Sequence, residues 1–282
     1  MNYVPLEFMD YVAATLYDTP SKANLRATHD DFSDWKDALG ARPKRLSFKM
    51  EITENRQTSY LRIAFCRNAK KNSKLDFPAF QEQDKSSIQI DEICVNSGDI
   101  GLIDKSGTIV RTESEFQEII DAICPLTNCA SLVISSAIAK ERPGFNYLPM
   151  LRDCSFREIR SKKDVCPTLG EDFLTKHLAT GLLTTISAWP TLWSNEFTLD
   201  VEEFLFSQQF TEVKLPYIYE CKMEFFLSMF DSPCGSEKMI YFYCSEYSED
   251  FEWKREDGVK ISLKSLYQLN ETRYCLLSFI RR

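Results

Sequence analysis

The sequence predicts an α/β fold in which helix-strand units of constant length stack side by side into an irregular solenoid closed by a C-terminal β-hairpin. Three observations predict it. Short apolar strand-type runs recur every 27 residues, anchored on Leu132, Ile159, Ile186, Val213 and Ile240. Amphipathic stretches and helix-start signals fall between these runs. The 282 residues are 44% hydrophobic and include 20 Phe, 12 Tyr and 4 Trp, enough to bury a real core, in one large domain or two ordinary ones.

Taken in order, Met9, Val12, Ala13 and Leu16 fall at i, i+3, i+4 and i+7, which predicts an N-terminal amphipathic helix. Ala23 to Leu39 reads as a second helical stretch, completing a segment over 1–40. A β-rich segment, 41–111, follows. Leu46, Phe48 and Met50 alternate, as do Leu61, Ile63 and Phe65, and Glu54-Asn55-Arg56 between them reads as the turn of a hairpin. Ile88, Ile90 and the run Ile93 to Val95 supply further strand, and the basic stretch Arg67 to Lys74 reads as a solvated loop.

From residue 112 to 282 helices and strands alternate. Thr112-x-x-Glu115 is a capping box, in which hydroxyl and carboxylate satisfy free N–H groups, and it opens a helix carrying Phe116, Ile119, Ile120 and Ile123. Thr168-x-x-Glu171 opens another with Phe173, Leu174 and Leu178, and Asp200-x-x-Glu203 a third with Val201, Phe204 and Leu205. Met223, Phe226, Leu227 and Phe230 form a further stripe. At the end, Val259, Ile261 and Leu263 alternate, and Tyr274, Leu276 and Phe279 follow a turn near Asn270. This hairpin would cover the last strand, which would otherwise expose unpaired backbone groups.

The 27-residue register extends beyond the anchors. Three residues before them stand Cys129, Phe156, Leu183, Phe210 and Glu237, and two after stand Ile134, Ser161, Ala188, Leu215 and Phe242. Ile120, Tyr147, Leu174 and Val201 keep the same step in the helical half. A unit of this length lies in the leucine-rich-repeat range of about 20 to 29 residues, although the Asn or Cys usual five residues after the anchor is replaced by Ala137, Asp164, Thr191, Ile218 and Ser245. An ordinary α/β sheet with right-handed crossovers of similar length fits the same pattern. On the solenoid the residues beside each anchor face the concave solvent side: Ser131 and Val133, Glu158 and Arg160, Thr185 and Ser187, Glu212 and Lys214, Met239 and Tyr241. They form a mixed polar wall suited to holding another protein, and equally an ordinary solvated sheet face.

Composition and motifs weigh against most chemistries. A net charge of −8 opposes a sequence-independent grip on nucleic acid. The N-terminus lacks the basic and apolar regions of a signal peptide, and no stretch reads as a membrane span, so the expected compartment is cytoplasmic or nuclear. The ten cysteines are scattered singly through apolar segments and read as reduced core residues. With 9 glycines and 2 histidines, phosphate-binding glycine loops and histidine clusters have little material. His177 falls at a register position filled in other units by Ile123, Met150 and Phe204 and reads as a core histidine. His29-Asp30 lacks the companions of a metal phosphohydrolase site. Cys124 and Cys129 have no second short pair to complete a zinc site. The expectation is a protein with no metal, no cofactor and no catalytic residue.

Val4-Pro5-Leu6-Glu7 resembles the opening of an F-box, which reads Leu-Pro-x-Glu and leads into an amphipathic helix, supplied here by Phe8, Met9, Val12 and Leu16. Trp35 stands where that family places a Trp after its second helix; Val4 replaces the first Leu, and the stretch Arg26 to Asp31 is polar. An N-terminal box, a β segment, irregular units that include Gly181 to Pro190, and a β-rich tail together resemble the nematode-expanded F-box proteins with an associated C-terminal repeat domain. The resemblance implies that the box docks on a Skp-type adaptor of a cullin-RING ubiquitin ligase while the repeat domain holds a protein target. Alternatively, the chain is a stand-alone repeat scaffold whose N-terminal helices only cap the solenoid.

Overall fold

The structure is a computed structural model that describes residues 45–55, 60–67, 74–98, 106–127, 129–135, 146–161, 169–207, 210–216, 237–244, 250–254, 256, 258–269 and 272–281. The helices expected over 1–40 and at Met223 to Phe230 lie outside these residues.

Thirteen strands among the described residues form one mixed sheet: β1 (Leu46–Asn55), β2 (Leu61–Arg67), β3 (Lys74–Leu75), β4 (Ile88–Gly98), β5 (Thr108–Val110), β6 (Ala130–Ile134), β7 (Phe156–Ser161), β8 (Thr185–Ile186), β9 (Glu212–Lys214), β10 (Lys238–Cys244), β11 (Phe251–Lys254), β12 (Val259–Leu269) and β13 (Thr272–Arg281). Twelve follow a single path, β11-β12-β13-β10-β9-β8-β7-β6-β4-β1-β2-β3, and β5 pairs with β2. The sheet is parallel from β1 through β4, β6, β7, β8 and β9 to β10, and antiparallel at both ends.

The 27-residue step is the register of this parallel stretch. Leu132 pairs with Ile159, Ile159 with Ile186, Ile186 with Val213 and Val213 with Ile240, so all five anchors lie in one row across the sheet. Ile93 and Met50 extend the row into the N-terminal segment. Residues paired across neighbouring strands share a face. The anchors are all buried, and they join one hydrophobic cluster with Phe116, Leu151, Leu174, Val201 and Leu205 from the helical halves.

The hairpin of β1 and β2 forms as the alternation predicts, with Met50 opposite Phe65 and Ile52 opposite Ile63, but Glu54 and Asn55, expected in the turn, still belong to β1, where Glu54 pairs with Leu61. Ile88 to Val95 is one continuous strand running parallel to β1. Between β3 and β4, helix α1 (Phe77–Gln81) is capped by Asp76 and carries Phe80 onto Phe65, ring centroids 3.9 Å apart. Gly107, at φ +114, precedes β5; a Cβ there would lie 2.6 Å from the Ile63 carbonyl oxygen, so only glycine fits this close approach.

Helix α2 (Glu113–Ile123) opens with the predicted capping box: the Glu115 N–H donates to Thr112 Oγ1 at 3.2 Å, and Glu115 Oε2 accepts from the Thr112 N–H at 3.1 Å. The corresponding half of the next unit is a 3-10 turn, Leu148–Asp153. Helix α3 (Glu171–Ala179) has Gly170 as its cap rather than Thr168, which lies outside the described residues.

Helix α4 (Asn195–Phe206) corrects the boundary expected at Asp200, which sits mid-helix. Ser194 is the true cap. Its Oγ accepts from the Phe197 N–H at 3.1 Å, while its own N–H and hydroxyl donate to the Glu171 carboxylate at 2.6 and 2.7 Å, fastening the starts of α3 and α4 together. Asp200 instead accepts the Thr175 hydroxyl at 2.7 Å, a second link between the two helices.

At the other end β12 and β13 pair as a hairpin, and β13 covers β10. The inward set on β13 is Cys275, Leu277 and Phe279, whereas Tyr274 and Leu276 are half-buried on the opposite face, a correction to the alternation read from the sequence.

A candidate recognition face on the open side of the sheet

With one face packed under helices, the opposite face carries the residues that flank the anchors. One row runs Lys49, Glu92, Ser131, Glu158, Thr185, Glu212 and Met239, and a second runs Glu51, Cys94, Val133, Arg160, Ser187, Lys214 and Tyr241. Both rows are continuous because the pairing register never slips by an odd residue between the anchors of β6 and β10.

The predicted face residues all lie here. Ser131, Val133, Glu158, Glu212, Lys214, Met239 and Tyr241 are half-buried and Arg160 is exposed. Thr185 and Ser187 are more enclosed than a solvent-facing reading implies, at 4% and 6% exposure. They are short side chains, Thr185 on the central strand β8 and Ser187 just past its end, between neighbours that carry longer ones. The predicted adaptor-binding residues Val4, Pro5, Leu6, Phe8, Met9, Val12, Leu16 and Trp35 lie outside the described residues, as does His29.

Charges on the face are arranged in pairs. Lys49 Nζ is 2.9 Å from Glu92, and Lys74 is 3.0 Å from Glu51. Burial works against the Lys49 ammonium, yet the Glu92 hydrogen bond and neighbouring negative groups outweigh it and raise the pKa. Glu158 approaches Arg160 at 3.4 Å and accepts the Ser131 hydroxyl at 3.1 Å, and Glu212 is 3.4 Å from Lys214. Such half-exposed pairs contribute little to stability, but they set a fixed pattern of charge along the sheet.

Toward β10 and β13 the face becomes aromatic. Lys214 Nζ stands 5.2 Å from the centre of the Tyr241 ring, within cation–π range. Tyr241 stacks on Tyr274 at 6.0 Å, and Tyr243 meets Tyr274 at 4.8 Å. Desolvation, then the Glu212 charge, pushes the Tyr241 hydroxyl upward, so it stays a neutral donor at physiological pH. Sequence reasoning missed Tyr243 and Tyr274; the alternation of β10 and the pairing of β13 with it would have placed them.

Elsewhere, α3 and α4 border a groove of about 360 Å³ lined by Thr175, Leu178, Asp200, Glu203, Phe204 and Ser207. His177 is buried between Phe156 and Phe173, at 5.2 and 4.7 Å, with neither ring nitrogen hydrogen-bonded. Desolvation, then the Lys176 charge, lowers its pKa to about 4. Among the described residues no three His, Cys, Asp or Glu side chains gather into a metal-holding group, and no helix is long and apolar enough to cross a membrane.

No protein-family model, curated protein or solved structure matches the chain.

Proposed function

We propose that the chain is a non-enzymatic substrate receptor of a cullin-RING ubiquitin ligase. Residues 1–40 dock on a Skp-type adaptor, and the units of 112–282, stacked as an irregular leucine-rich-repeat-like solenoid, hold a target protein. The observation that carries the second half is the open face. Five register-matched strands present paired charges that end in a tyrosine cluster, and aromatic and cationic anchors of this kind dominate protein recognition. Support for the first half is the resemblance of Val4 to Leu16 and Trp35 to an F-box. A reducing compartment, cytoplasmic or nuclear, suits the six free cysteines of the described residues.

The test is a pull-down of the full chain and of a version lacking residues 1–40, probed for a Skp-type adaptor and cullin. Capture by the full chain alone supports the receptor reading. If a soluble, folded full chain captures neither, the adaptor role falls and the chain is a stand-alone recognition scaffold. Once a target is in hand, Lys214→Glu and Tyr241→Ala should each weaken its binding at least tenfold while leaving the circular dichroism spectrum unchanged. Undiminished binding by both variants would move the target site off this face.

A further inference from the structure

On the helical side of the sheet, two cysteines meet at the turns that end neighbouring units. Cys124 caps the C-terminus of α2, and Cys154 caps the 3-10 turn Leu148–Asp153. Cys124 Sγ lies 2.8 Å from the carbonyl oxygen of Asp153, the residue before Cys154, near enough to the Cys154 thiol for each to shift the other's proton affinity. Thr127 locks the turns together, its hydroxyl donating to the Cys124 carbonyl at 2.8 Å while its Oγ1 accepts the Ser155 N–H at 3.3 Å. The pair is asymmetric: Cys124 is half-buried and Cys154 is 2% exposed.

We infer that Cys124 and Cys154 form an oxidative modification site, at which a peroxide converts the two thiols into an intrachain disulfide. The roles follow from the surroundings. Hydrogen bonding from Cys154 leads the effects that bring Cys124 to about 7, with Lys176 assisting, against desolvation and the carboxylates of Asp153 and Asp121. Cys124 is therefore the thiol that reaches both solvent and the thiolate form at neutral pH. As a thiolate it gives up the Asp153 carbonyl and takes the Cys154 S–H as its donor. Cys154 is held protonated by that same hydrogen bond and by burial.

The steps balance. The Cys124 thiolate attacks one oxygen of the peroxide, breaking the O–O bond; the departing hydroxide takes a proton as water, and Cys124 becomes a sulfenic acid. Cys154 sulfur then attacks the Cys124 sulfur, and the hydroxyl leaves with the Cys154 proton as a second water. Two electrons pass from the thiols to the peroxide, and the sulfurs close to about 2.0 Å. The link ties the end of α2 to the turn before β7 and replaces a hydrogen bond with a covalent bond between adjacent units.

The experiment treats the full chain with hydrogen peroxide, blocks remaining thiols with N-ethylmaleimide and digests it without reduction for mass spectrometry. The expected product is a peptide pair joined through Cys124 and Cys154, lighter by two hydrogens and lost on adding dithiothreitol, formed before any of the other eight cysteines is oxidised. Cys124→Ser should abolish the link. Cys154→Ser should leave Cys124 as a sulfenic acid that dimedone traps, and if that variant does not fold, the wild-type digest alone decides. A link from Cys124 to Cys129 or between chains, or oxidation of Cys124 to sulfinic acid without a link, would overturn the inference.

Discussion

His177 illustrates how an environment rather than a residue type decides chemistry. Its register position is apolar in other units, at Ile123 and Phe204, and the ring is correspondingly buried between two phenylalanines. That much was legible from spacing; the aromatic sandwich was only half so, because Phe173 lies one turn before His177 on the same helix whereas Phe156 reaches the ring from β7, a strand that only the folded chain brings to it. With the folded pKa near 4 and an ordinary unfolded value near 6.5, the unfolded chain binds the proton first as pH falls. The histidine's contribution is therefore complete above about pH 6.5 and is lost progressively down to about pH 4, by up to about 3 kcal/mol. His177→Phe should flatten this loss, so urea midpoints of variant and wild type should diverge between pH 7.5 and pH 5; parallel profiles would show that the ring is not held neutral. A second expectation concerns Cys124, whose value near 7 predicts that iodoacetamide labels it several-fold faster at pH 7.5 than at pH 6. Cys154 in the same folded sample should remain unlabelled, which peptide mapping would check.

Elements were legible where a local signal is complete within a few residues. The Thr112 and Glu115 box contains both of its partners and was read correctly. The start of α4 was not, because Ser194 is followed at the third position by Phe197 instead of an acid, while Asp200 and Glu203 imitate a box inside the helix. The partner that makes Ser194 effective is Glu171, on another helix and invisible to local pattern. Ser194→Ala should cost about 1 to 2 kcal/mol in urea unfolding, toward the upper end for a lost cap since Glu171 loses its hydroxyl donor as well. Glycine at position 107 works by similarly non-local logic. Its positive φ, and a Cβ that would come within 2.6 Å of the Ile63 carbonyl oxygen, predict that Gly107→Ala displaces β5 from β2, destabilising the protein by more than about 1 kcal/mol. Amide exchange at Val110, on the strand that would be displaced, would report the change directly.

For the molecule as a whole, the order of β6 to β10 and the row of anchors follow from the constant step, since each unit pairs with the next in register. The attachment of β1 to β4 did not follow, because alternation identifies a strand and its buried face but not its neighbour. The candidate face was accordingly legible in its central rows and not at its margins, where Lys49, Glu51 and Tyr274 enter through pairings no periodicity encodes. The anchor Ile186 lies on the two-residue strand that joins β7 to β9, so Ile186→Ala should cost about 2 to 5 kcal/mol. Loss of the side chain there should lower a single cooperative transition; two separated transitions in calorimetry would instead mean that the sheet melts as independent halves.

The position of β13 carries a further consequence for how the protein is made. Although it contains the last described residues, β13 lies inside the sheet, between β12 and β10. As the chain leaves the ribosome, β10 emerges with one side already able to pair with β9 and the other side bare until residues 272–281 appear. For that interval the nascent chain presents an unpaired strand bearing Tyr241, Phe242 and Tyr243, the kind of edge that recruits other chains. A premature stop before β13 would make that interval permanent, turning the loss of one strand into an aggregation defect at the bare edge of β10.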